Sequence, residues 1–408
     1  MPTEASACRA GQTTSAGSPA ALGTRVATLL LHSMRDPASV MGLGAEALDD
    51  VLHAARRHSL LARLEHDLAA LGVLQDLPET AKRQFASARI RTHANAIALG
   101  FEIDRVRRAL ACLGSRIVLL KGAAYQRAGL PPARGRFAVD LDILVPVADI
   151  GRAERTLVDR GWRPVAGNDY DQHYYRDWMH EIPPLVHGER GTELDVHHTI
   201  FPPVSGIRID SEAFLADATP VGDGLWVLSP ADMVLHAAAH LFQEDPTGHL
   251  RDLLDLHDLL TLFGRQPGFW ESLTERAQRH GLGRPLYYGL RYAANLTGTA
   301  IPAAVIDRTG AAFAPNAVQR RIMDWLVRTA IVDASPGQVN GGAFARLMLF
   351  GRSHWIKMPP AILLGHSVAK LIRWVRERRT PEPAGPAPVG TLLTLEAGKA
   401  RGTVPGPH

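Results

Sequence analysis

Apolar and polar positions change rhythm along this chain. From residue 24 to 112 the apolar residues recur at three- and four-residue steps, which predicts helix throughout. Within residues 49–64, Leu52, Leu60 and Leu64 fall at helical spacing with charges between them. Residues 80–113 form a second long helical region, with Gly114 as its C-cap. Then the pattern shortens. Residues 117–120, after Arg116, are a branched apolar run ending at Lys121-Gly122, which predicts a short buried strand. Residues 136–146 carry another apolar run, and residues 192–198 alternate polar and apolar positions as a strand does. Residues 148–161 read as a helix between strands, with Ile150, Ala153 and Leu157 on one face. This β–β–α–β succession predicts a small mixed sheet. Helical spacing returns over 228–262, where Ser229-Pro230 is a start signal, and again over 268–330.

The picture is an α+β protein: a small mixed sheet embedded between helical segments. Residues 1–23 are rich in Ala, Gly, Ser and Thr, and residues 380–408 in Pro and Gly, so both tails are expected to be disordered. Between them the expected units are helical 24–113, an α/β core 114–225, helical 226–335 and apolar, basic helices 336–379. Hydrophobic residues make up 46% and charged residues 21%, which places the chain among globular proteins. A net charge of +4 suits a phosphate-bearing ligand. There is no dense Lys/Arg run with interleaved aromatics, hence no strong nucleic-acid signal.

The two cysteines, Cys8 and Cys112, have no zinc-ligand spacing, and no structural disulfide is expected. The N-terminus lacks a basic region followed by an apolar one, and no apolar stretch is long enough to span a bilayer. A reducing cytoplasm is the expected location. Residues 355–379 combine Trp, apolar residues and clustered Arg, which raises a weak contact with a membrane surface. Pro359-Pro360 interrupts the segment, and a helix pair packed on the protein is the preferred reading.

The chemistry concentrates in Asp140-Leu-Asp142. On a strand, residues two apart share a face, so both carboxylates project together while Leu141 and Ile143 turn into the core. Two anions side by side in an apolar setting call for a cation, and a hard, oxygen-seeking ion such as Mg²⁺ fits. Asp195 offers a third carboxylate. His197 shares its face and is open to phosphate, acceptor or metal; His198 points the other way; Glu193 is a further acid. Arg136, four residues before Asp140, lies on the carboxylate face if the strand extends that far. Repulsion between the aspartates predicts that Asp142→Asn stabilises the ligand-free protein.

This order of Leu120-Lys121-Gly122, then Arg136…Asp140-Leu141-Asp142, then Asp195-Val196-His197 resembles the nucleotidyltransferases of the polymerase-β superfamily. It is most similar to poorly characterised bacterial members in which Lys-Gly replaces the usual Gly-Ser turn. The resemblance implies transfer of a nucleoside monophosphate from an NTP to an unidentified hydroxyl or phosphate acceptor, with Mg²⁺ or Mn²⁺. It implies metal binding by Asp140, Asp142 and Asp195, which are also the catalytic set. It further implies nucleotide binding by Lys121, Gly122, Arg136 and His197, with Asp195 orienting or deprotonating the acceptor. The helical residues His236, His240, Arg251 and Asp255 match weaker family positions and are candidates for the nucleotide or acceptor pocket. His173, Tyr174, Tyr175 and His180 are candidates for the acceptor side.

Two rivals are weaker. His236 and His240 are four apart, but without the accompanying Glu they do not make a zinc-peptidase motif. The chain has no P-loop and no kinase His-Arg-Asp or Asp-Phe-Gly element. The alternative that stays open is a non-catalytic nucleotide-binding or regulatory protein on the same fold.

Overall fold

The structure is a computed structural model that describes residues 19–165, 174–243, 246–332 and 341–365. It is mostly helical, with one seven-stranded mixed sheet set among the helices. The strands are β1 (Ile117–Leu119), β2 (Asp140–Leu144), β3 (Trp162–Pro164), β4 (Leu185–His187), β5 (Glu193–His197), β6 (Thr219–Pro220) and β7 (Leu225–Val227). Their spatial order is β3-β4-β5-β2-β1-β7-β6. The two strands that carry the aspartates, β2 and β5, are adjacent and parallel at the centre. β1 runs antiparallel to β2 and parallel to β7.

The sheet forms where expected, and the alternation explains why. Leu141, Ile143, Leu194 and Val196 are fully buried on one face, each stabilising the fold by about 1.5–3 kcal/mol. That burial lets these strands carry acidic residues on the other face. β3, β4, β6 and β7 are two or three residues long and show no period of their own, so periodicity does not reveal them.

The helices also depart from simple spacing. The first begins at Pro19, inside the stretch expected to be disordered, because Ala20, Ala21 and Leu22 are good helix formers. The run at 49–64 is two helices, Ala45–Arg57 and Leu61–Ala70, since Ser59 turns the chain at a positive φ of 55°. The long helix Glu79–Leu110 ends through a short 3₁₀ turn at Gly114, which is left-handed as expected. The segment 228–262 also divides, into Pro230–Gln243 and Leu250–Phe263. The Ser229 hydroxyl caps the first of these, accepting from the Asp232 N–H at 3.3 Å.

One contiguous apolar core runs from Val26 to Leu349 and joins the helices to the sheet. Arg63 on the helix Leu61–Ala70 makes a bidentate pair with Asp258 on Leu250–Phe263, at 2.6 and 2.8 Å. The helix Gly341–Lys357 ends just before Met358-Pro359, with Trp355 exposed. The part of the 355–379 segment beyond 365 lies outside the described residues, as do Cys8 and both tail ends. No helix among the described residues is long and apolar enough to cross a membrane.

One buried histidine gives the fold a pH dependence. His280, just past the helix Phe269–Arg279, is buried with its ring 4.4 Å from that of Phe214. Burial, then Arg276 and Arg279, lower its pKa from the ordinary 6.5 to about 4. The folded state therefore favours the neutral ring. The associated stability is fully present above pH 6.5 and is lost as pH falls towards 4, by about 1–3 kcal/mol. His280→Phe should flatten that part of the stability–pH curve, measured by urea unfolding between pH 7 and 4. An unchanged slope would assign the acid sensitivity elsewhere.

Candidate active site

The register of β2 on β5 builds the site. Asp140 lies opposite Glu193, Asp142 opposite Asp195 and Leu144 opposite His197. Paired residues on neighbouring strands share a face, so Asp140, Asp142, Glu193, Asp195 and His197 project together. The three aspartates thus share one side of the sheet, and the apolar partners fill the other.

β1 delivers Lys121. The Leu120 N–H continues the ladder to the Asp142 carbonyl at 3.0 Å, and the next residue, Lys121, turns with a positive φ of 44°. A left-handed Lys is uncommon and costs on the order of 1 kcal/mol. The turn brings Lys121 Nζ to 2.9 Å from Asp142 Oδ1. His197 Nε2 is 3.1 Å from the same oxygen. Burial alone would raise the Asp142 pKa, but Lys121 and then His197 outweigh it and hold the carboxyl well below its usual range. Asp142 is thus an anion between an ammonium and an imidazole. Relief of repulsion belongs instead to Asp195. Burial, then the negative charges of Glu181, Asp142 and Asp140, push its pKa far above the ordinary carboxylate value. Asp195 Oδ1 is buried and has no hydrogen-bond partner among the described residues.

Gly122 is buried at the start of the helix Lys121–Arg127. The room left by its missing Cβ is taken by Arg136 Nε at 3.2 Å and Ala138 Cβ at 3.4 Å. The close approach that Gly122 allows is therefore that of an arginine. Arg136 itself lies before the strand, which begins at Asp140, so strand alternation does not orient it. Its guanidinium is hydrogen-bonded to Asp255, lies 3.9 Å from Asp252 and sits 5.4 Å from the centre of the Tyr125 ring. Burial, then Arg251, lower its pKa to about 10, which still leaves it charged at neutral pH.

Several long-range contacts fix the lead-in to β2. Asn95, on the long helix, donates to the Ala138 carbonyl and accepts from the Ala138 N–H, both at 2.8 Å. Arg251 donates to the Phe137 carbonyl at 3.2 Å. Gly135, at a φ of 61°, sits so close to Ala62 and Arg63 that a Cβ would fall 2.4 Å from the Arg63 nitrogen. Three helices, Leu61–Ala70, Glu79–Leu110 and Leu250–Phe263, thus hold the backbone just before Asp140.

The other sequence candidates separate into near and far. His236 is buried and feels the charges of Lys121, His240, His197 and Asp142; burial, then Lys121, keep it neutral. His240 faces His249, with ring centres 6.5 Å apart, and His249 pairs with Asp252 at 2.7 Å. Arg251 and Asp255 belong to the network around Arg136. Tyr174 and Tyr175 pack edge to face in a turn that Arg176 ties to Glu154 at 2.7 Å. His198 follows β5, and its N–H donates to the His180 carbonyl. His173 lies outside the described residues.

Glu181 escapes the sequence pattern altogether. It pairs with His197 as an isolated antiparallel bridge, and its Oε2 lies 3.5 Å from His197 Nε2. No spacing rule links 181 to 195.

Among the described residues, the ligand atoms that converge within 4.8 Å of one another are those of His180, Glu181 and His197. Four carboxylates share a face, and one buried oxygen lacks a partner. A family model described as "Uncharacterised nucleotidyltransferase" matches residues 45–298, well over half of the chain. No curated protein and no solved structure matches.

Proposed function

The chain belongs to this family of uncharacterised nucleotidyltransferases, and from that premise we propose that it transfers a nucleoside monophosphate from an NTP to a hydroxyl or phosphate acceptor, releasing pyrophosphate. The observation that carries the reading is the shared face of Asp140, Asp142 and Asp195 across the β2–β5 pair. Asp140, Asp142 and Asp195 would hold Mg²⁺ or Mn²⁺. Bound there, the ion supplies charge neutralisation for the triphosphate and the leaving pyrophosphate. Asp195 Oδ1, buried beside other acids, is suited to take the proton of an acceptor hydroxyl. Lys121 neutralises Asp142 in the ligand-free protein and turns to phosphate when nucleotide enters. His197 orients Asp142, and Gly122 supports the site by admitting Arg136. A cytoplasmic location fits an NTP donor.

Lys121→Ala should weaken NTP binding by about one to two decades, the worth of a charge-assisted phosphate contact. It should also lower the melting temperature without nucleotide, because it strips the buried Asp142 of a cation. Titration calorimetry with a non-hydrolysable NTP, alongside thermal melts, reads both. Unchanged affinity would remove Lys121 from the nucleotide site.

The Lys121–Asp142 ion pair also favours one alternative, a protein that binds nucleotide without transferring it. Incubation with each α-labelled NTP, Mg²⁺ or Mn²⁺ and cell extract separates the two. Transfer gives a labelled product that is absent with Asp142→Asn. Nucleotide binding with no labelled product selects the alternative.

A further inference from the structure

Beside the aspartates stands a second group of ligand atoms. His180, Glu181 and His197 each present one, all within 4.8 Å of one another. Backbone pairing puts them there. The Ile182 N–H donates to the Val196 carbonyl at 3.1 Å, and the His198 N–H to the His180 carbonyl at 3.0 Å. This lays residues 180–182 antiparallel along the end of β5. Glu181 Oε2 is then 3.5 Å from His197 Nε2 and 4.0 Å from His180 Nε2. The two imidazole rings tilt towards each other with centres 5.1 Å apart.

An ion-pair network alone accounts for part of this. Such a network links Asp142 and Glu181 through His197 Nε2, at 3.1 and 3.5 Å. It would leave Asp195 Oδ1, buried on the same face two residues upstream, with no partner. A metal ion held by these three ligand atoms accounts for the clustering of two imidazoles with a carboxylate. Its chemistry differs from that of an all-oxygen site: Mg²⁺ prefers oxygen donors, whereas imidazole nitrogens with a carboxylate suit zinc and its first-row neighbours.

We propose that His180, Glu181 and His197 form a position for a divalent transition metal, Zn²⁺ or Mn²⁺, next to the face of Asp140, Asp142 and Asp195. Two imidazoles and one carboxylate leave at least one coordination position open, which is where a water or an acceptor oxygen fits. The role of that position in transfer rests on the nucleotidyltransferase reading; the binding of metal there does not.

The test uses the full chain, stripped with chelator and free of nucleotide. Mn²⁺ is titrated by electron paramagnetic resonance and Zn²⁺ by competition with a chromophoric chelator. The expected result is one tightly bound equivalent that millimolar Mg²⁺ does not displace. His180→Ala and Glu181→Gln should each weaken it by about ten- to a hundredfold, with folding checked by circular dichroism. Asp140→Asn should leave it nearly unchanged. The proposal is overturned by the absence of stoichiometric binding. It is equally overturned by affinity that survives both His180→Ala and Glu181→Gln, or that falls only with Asp140→Asn. Mg–NTP binding is scored in a separate titration. A protein that takes Mn²⁺ through His180 yet ignores NTP would keep this site and lose the transfer reading.

Discussion

Asp142→Asn should abolish transfer, by about a thousandfold or more, and should also destabilise the ligand-free protein by about 2–4 kcal/mol. The second half reverses what adjacency in sequence suggests. Asp140 and Asp142 share a face, but Asp142 is compensated: Lys121 lies 2.9 Å and His197 3.1 Å from one of its oxygens, and its side chain is only 2% exposed. Removing the charge leaves an ammonium and an imidazole facing a neutral amide. Asp195→Asn should do the opposite to stability. That carboxyl is buried near the charges of Glu181, Asp142 and Asp140, and its Oδ1 has no hydrogen-bond partner among the described residues, so a neutral amide relieves repulsion. We expect Asp195→Asn to raise ligand-free stability by about 1 kcal/mol while transfer is still lost. Urea unfolding of both variants in chelator, with activity measured in parallel, checks the pair. If Asp142→Asn were the more stable of the two, the charge distribution described here would be wrong.

Arg136→Leu should cost about 3–5 kcal/mol, the range for removing one member of a buried ion pair. Arg136 is 10% exposed and its partner Asp255 7%. Without the guanidinium, two acids on one helix, Asp252 and Asp255, lose their cation from the sheet side, and the segment before Asp140 loses a tie to the helix Leu250–Phe263. The double variant Arg136→Leu/Asp255→Leu should recover much of the loss, because an apolar pair replaces an ionic one. Chemical denaturation of the single and double variants measures the coupling. If Arg136→Leu lowered NTP affinity without lowering stability, Arg136 would be a phosphate ligand rather than a brace.

The part of the site written in local periodicity is legible in the sequence. Asp140 and Asp142 are two apart in an apolar strand, and Asp195 sits in a second alternating run; alternation alone puts each on a polar face. Their meeting depends on β2 and β5 being parallel neighbours in register, which local pattern does not encode. It is supported by the resemblance to nucleotidyltransferases. Glu181 enters through a bridge to the end of β5, made by a segment with no strand period. Counting residues places Arg136 on the carboxylate face only if the strand extends that far; the strand starts at Asp140, and tertiary partners on a distant helix decide its place. The helix breaks follow the same logic. Ser59 stops a run whose leucines keep helical spacing, because backbone conformation at one residue overrides the apolar pattern on either side.

If the face of Asp140, Asp142 and Asp195 binds a metal–nucleotide complex, titration calorimetry of the full chain with a non-hydrolysable NTP will show it, run with Mg²⁺, with chelator, and with Asp140→Asn and Asp142→Asn. The expected result is saturable binding of one nucleotide with Mg²⁺, and a loss of at least about tenfold in affinity with chelator or with either variant. Nucleotide binding that is indifferent to Mg²⁺ and to both substitutions, or no binding by any NTP, would contradict it.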